Sequence, residues 1–108
     1  MPIEFVAPGS PRDVSRAIEE FAHGQGSVTA IVVPWESTAT TLSMSVTSVK
    51  ANGWAIEHTN LGTITLTDLG NAATAVAVTA HEPAHTDKLA TLFDRFASQL
   101  QRRFEAAR

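Results

Sequence analysis

The last stretch of the chain, Thr86 to Arg108, places Leu89, Leu92, Phe93, Phe96, Leu100 and Phe104 at steps of three and four. That spacing writes one apolar stripe along a helix, while Lys88, Asp94, Arg95, Gln101 and Arg102 fall on the other side. A helix divided in this way must lie on a large apolar surface. Burying each large side chain contributes roughly 1.5 to 3 kcal/mol, so the helix is integral to the fold, and the upstream chain has to supply the surface it covers.

Upstream, the periodicity is mostly that of strands. Ile3 to Ala7 is short and apolar and stops at Pro8-Gly9, which reads as a first strand ended by a turn. Ser10-Pro11-Arg12-Asp13 then combines a hydroxyl cap, a proline at the first helical position and an acid three residues after the cap. The helix that follows carries Val14, Ala17, Ile18, Phe21 and Ala22 on one side, and Gly24 is expected to stop it. Val28 to Val33 is nearly all apolar, as for a strand covered on both faces, and Pro34 ends it. From Thr41 to Val49 the chain alternates, with Leu42, Met44 and Val46 directed to the core. Asn52-Gly53 is a hairpin signal because both residues accept positive φ. Trp54, Ile56, Ile64 and Leu66 continue the alternation to Leu69, and Asn60-Leu61-Gly62 reads either as a bend in one strand or as a loop between two. After a turn at Gly70-Asn71, Val76, Val78 and Ala80 form the last strand.

The predicted order is strand, helix, four or five strands, helix. It describes an α+β domain in which an antiparallel meander has one apolar face covered by a short helix and a long C-terminal one. This arrangement resembles the helix-grip folds, as in the START-like and polyketide-cyclase-like family or a single TATA-binding-protein-type repeat. The resemblance covers the whole chain and rests on element order, above all on the strands from Gly62 to Val78 followed by the final helix. It carries no sequence motif, and START-like members are usually longer, so no functional residue transfers from it. What it implies is an apolar ligand held between the sheet and the C-terminal helix.

Composition narrows the function classes. A chain of 108 residues is a single domain with one core. Eleven acidic against eight basic residues give a net charge of -3, which argues against nucleic-acid binding, since phosphate neutralisation needs a basic surface. There is no cysteine, hence neither disulfide nor thiolate chemistry. The first residues lack the basic flank and apolar run of a signal peptide, and no segment approaches the roughly 18 apolar residues of a membrane span. A cytoplasmic protein without membrane association is the expectation.

Four features carry candidate chemistry. His81-Glu82-Pro83-Ala84-His85 has the letters of the zinc-protease pattern H-E-x-x-H. However, Pro83 would break the helix that pattern needs, and Glu105 lies roughly 30 Å further along the next helix at 1.5 Å per residue, so no metal is expected. The segment reads instead as a connection in which Pro83 and Thr86 help start the final helix. His58 and Asn60 would both face the core if Trp54 to Leu66 were one strand with even-numbered residues inward; if a loop intervenes, His58 sits at a strand end. Trp35 and Trp54 are expected at the sheet rims, closing the core or flanking a pocket mouth. Finally, the outward positions Ser43, Ser45, Thr47, Thr63, Thr65, Thr67, Ala75, Ala77 and Thr79 make a face without charge, suited either to solvent or to association with a second copy.

No cofactor is implied, because the glycines build no phosphate-cradling loop and no serine sits in a G-x-S-x-G elbow. Three readings follow. The first is a non-catalytic module binding a small hydrophobic ligand, with Trp35, Met44, Trp54, His58, Asn60, Phe93 and Phe96 as the candidate site. The second is a homodimeric assembly protein using the uncharged sheet face. The third is a cyclase- or hydrolase-like enzyme with His58 as general base. An apolar cavity larger than roughly 300 Å³ beneath Phe93 and Phe96 would separate ligand binding from assembly.

Overall fold

Residues 3–81 and 86–106 are described by the structure, a computed structural model. The order of elements is β1 (Ile3–Pro8), α1 (Pro11–Gln25), β2 (Val28–Val32), a 3-10 turn (Pro34–Glu36), β3 (Thr41–Asn52), β4 (Ala55–Gly70), β5 (Ala73–Ala80) and α2 (Asp87–Ala106). The strands form one five-stranded antiparallel sheet in the order β1-β5-β4-β3-β2, so four strands follow α1. Both helices lie on one face of this sheet, α1 over the β2 side and α2 over β1, β5 and β4.

Local chemistry accounts for the helix boundaries. The Ser10 side chain accepts the backbone N–H of Asp13 at 3.2 Å, and Pro11 opens α1 with its preset φ. The stop is Gly26 rather than Gly24: Gly26 has φ 81° and donates to the His23 carbonyl at 3.2 Å, whereas Gly24 continues the last helical turn. Thr86 caps α2, its hydroxyl accepting from Leu89 N–H at 3.1 Å and its carbonyl from Ala90 N–H at 3.0 Å.

The core lies between the sheet and the helices. Val14, Ile18 and Ala22 of α1 and Phe93, Phe96, Leu100 and Phe104 of α2 meet Phe5, Met44, Val46, Ile64, Leu66, Val76 and Val78 of the strands. Ring contacts tie the two sides together: Phe104 lies 5.7 Å from Phe5, and Phe96 lies 5.6 Å from Phe21 of α1. The terminal stripe does what its spacing requires. β2, by contrast, is not covered on both faces. It is an edge strand with Val28 and Ala30 buried and Thr29 and Ile31 exposed, because among the described residues no element covers the far face of the sheet.

Candidate functional site

One irregularity shapes the hairpin end of the sheet. β4 is a single strand, and Asn60-Leu61-Gly62 is neither a loop nor a simple bend but a β-bulge. Val46 pairs with Gly62 and Thr47 with Asn60, so Leu61 is an extra residue with no partner on β3. Leu61 itself is buried, and the Asn60 side-chain oxygen accepts the Gly62 N–H at 3.1 Å. Asn60 thus satisfies the backbone at the bulge.

An inserted residue reverses which side chains face which way. On the core side of the bulge, Gly62, Ile64 and Leu66 face the helices. Beyond it the inward positions are Thr59 and Glu57, opposite Ser48 and Lys50 of β3. On the single-strand reading His58 and Asn60 would face the core, but the inserted residue points them to the helix-free face together with Ile56, and all three are exposed. The even-numbered rule failed at one residue, Leu61.

The same stretch of β3 and β4 outruns the sheet. Pairing of β2 with β3 ends at Val28 with Ser48, and pairing of β5 with β4 ends at Ala80 with Gly62. Residues 49–60 consequently continue as a two-stranded ribbon with no neighbouring strand among the described residues. Trp54 stands at its tip, fully exposed, and Ile56 is 65% exposed.

Between this ribbon and the first turns of α2 is an open groove of about 700 Å³. Ser48, Lys50, Glu57 and Thr59 form one wall; Thr86, Lys88, Leu89, Thr91, Leu92 and Arg95 form the other. The reason for the space is compositional. α2 brings Leu89 and Leu92, whose helical spacing continues the buried stripe, but the bulge has turned short or charged side chains toward them, and these cannot close-pack against leucine. Leu89 and Leu92 stay partly buried. A smaller space of about 200 Å³, lined by Gln25, Ser27, Val28, Leu92, Arg95, Phe96 and Gln99, adjoins it, with Leu92 and Arg95 common to both.

The seven residues expected to form one ligand site do not converge. Met44, Phe93 and Phe96 are core residues, at most 3% exposed. Phe93 lies so close to the sheet that a methyl group on Gly62 would stand 2.7 Å from its ring. Phe96 borders the smaller space. Trp35 and Trp54 occupy the rims as expected but cover no core, at 84% and 106% exposure. His58 and Asn60 lie on the reverse of the ribbon. The larger groove lies toward the hairpin and is not lined by Phe93. Thr59, Leu89, Leu92 and Arg95, which border it, were legible only as strand or helix positions.

The zinc-like segment falls largely outside the described residues, since residues 82–85 belong to it. His81, at its start, donates its backbone N–H to the Leu61 carbonyl at 2.9 Å and so prolongs the β4–β5 ladder. Among the described residues no group of three His, Asp or Glu side chains could hold a metal, and no helix is long and apolar enough to cross a membrane.

A solved START superfamily protein from Mycobacterium smegmatis is similar to this chain, with 12% sequence identity and a TM-score of 0.44 over 100% of this chain and 98% of that one. No protein-family model and no curated protein matches the sequence. The helix-grip-like α+β architecture stands on the sheet order and the seat of α2 across it.

Proposed function

We propose that this chain is a small non-catalytic module that binds a small ligand with an apolar portion in the groove between the β3–β4 ribbon and the start of α2. The observation that carries this reading is an open volume of about 700 Å³ bordered by Leu89 and Leu92, within the size range of small-molecule sites. Among the described residues the lining holds no histidine, and His58 lies on the reverse of the ribbon.

Titration with Nile red, a neutral dye that brightens on leaving water, tests the reading. Saturable binding is expected, and Thr59→Phe, which puts a ring into the groove from a partly exposed position, should abolish it while leaving the melting temperature nearly unchanged. Dye binding undiminished in that variant would place the dye elsewhere and overturn the assignment.

A second reading is favoured by the helix-free face. The register puts Ser43, Ser45, Thr47, Thr63, Thr65, Thr67, Ala75, Ala77 and Thr79 side by side there, with exposed Ile31 and Ile56 at its margins. A wide surface so poor in charge suits pairing with a second copy, because interface cores are depleted of charged residues. Sedimentation equilibrium at micromolar concentration is expected to show a dimer, and a clean monomer would remove this reading.

A further inference from the structure

The groove is charged against the trend of the chain. Among the described residues, Lys50, Lys88 and Arg95 line it and Glu57 is the one acid that does so. A chain of net charge -3 thus places three cationic side chains at the open groove between ribbon and helix. Cations concentrated in a cleft focus the field and attract anions.

Their placement is informative. Lys50 stands directly across from Glu57 in the β3–β4 register, so these two partly offset one another. Among the described lining residues no acid neighbours Lys88 or Arg95 on α2, and the two lie two helical turns apart, roughly 10 Å along the axis at 1.5 Å per residue. Lys88 and Arg95 thus flank the apolar stripe next to Leu92, rather than standing on the opposite side of α2 as the spacing suggested, and Leu89 follows Lys88 in the lining. Arg95 also borders the smaller adjoining space, so its guanidinium stands at the junction of the two.

Resting on the groove as the ligand site, we propose that its ligand is an amphiphile with a carboxylate head, held by Arg95 with Lys88 while the apolar portion lies over Leu89 and Leu92. A guanidinium presents two parallel N–H donors that match the two oxygens of a carboxylate.

The test is displacement of bound Nile red by decanoate, decanol and decyltrimethylammonium, each below its aggregation concentration, at low ionic strength. Decanoate is expected to compete about tenfold better than decanol, as a charge-assisted pair adds to the shared apolar contact. High salt should shrink that margin, since the lining cations are exposed. Arg95→Gln, and Lys88→Gln to a lesser degree, should bring decanoate toward decanol without changing decanol itself, and Arg102→Gln, outside the groove, should change neither. Equal competition by all three molecules, a preference for the cation, or a decanoate preference that survives both groove substitutions would overturn the head-group assignment and leave the groove reading intact. Failure of all three to displace the dye would overturn both.

Discussion

The two halves of α2 share one apolar period yet meet opposite fates. In the C-terminal part, Phe93, Phe96, Leu100 and Phe104 are sealed against strand and α1 side chains, and Gly62 lets the Phe93 ring approach the backbone of β4. In the N-terminal part, Leu89 and Leu92 face Ser48, Lys50, Glu57 and Thr59 across an open groove. The helix does not cause the difference. It is made on the sheet, where Leu61 inserts one residue and exchanges an apolar inward set for a polar one. An amphipathic stripe states a demand for burial; the facing strand decides whether that demand is met or leaves space for something else.

The largest expected effect breaks the closed half. Phe96 is 2% exposed and packs on the Phe21 ring, so Phe96→Ala should lower unfolding free energy by about 3 to 5 kcal/mol in urea denaturation. A loss well below 1 kcal/mol would mean that this half is as loosely packed as the groove, and the contrast between the halves would vanish. Gly62→Ala comes next. The new methyl would stand 2.7 Å from the Phe93 ring and collide with the Thr79 carbonyl, so overpacking should cost about 1 to 3 kcal/mol. Combining it with Phe93→Leu should recover part of that loss if the ring is the obstacle.

How far the sequence foretells all this differs between the halves for a physical reason. The closed half is written in repetition: the stripe of α2, the capped start of α1 and the alternation of Leu42, Met44 and Val46 each recur several times, and the packing obeys them. The open half turns on single residues. Asn60-Leu61-Gly62 has the composition of a turn, and nothing local states that Leu61 is inserted while pairing continues on both sides; only the registers with β3 and β5 reveal it. From that one slip follow the outward turn of His58 and Asn60, the polar ribbon wall and the groove. Trp35 and Trp54 were legible as rim residues, but their exposure depends on where the neighbouring strands end, which is a property of the whole sheet.

A smaller effect probes the bulge itself. Asn60→Ala removes the acceptor of the Gly62 N–H and should cost about 1 kcal/mol, the ordinary contribution of such a bond, because water partly replaces the lost partner at this rim. Asn60→Asp keeps the oxygen and should cost less. If Asn60→Ala instead matched the loss in Phe96→Ala, the bulge would have to be a keystone of the closed half, and the two regions could not be treated as separable.

The smallest expected effect lies at the far end of the open half. Trp54 is fully exposed and caps a ribbon with no flanking strand, so in a monomer Trp54→Ala has no packing to lose and should change stability by no more than about 0.5 kcal/mol. A large aromatic side chain standing free in water makes this null expectation a sensitive one. If the substitution lowered the melting temperature by several degrees, and the loss grew with protein concentration, the tip would be buried against a second copy, since only an associating state makes stability depend on concentration. The ribbon would then be shared between association at its tip and reverse face and ligand contact at its inner face. Measuring Nile red affinity in the same variant separates these roles: an unchanged dissociation constant would keep the groove independent of the tip.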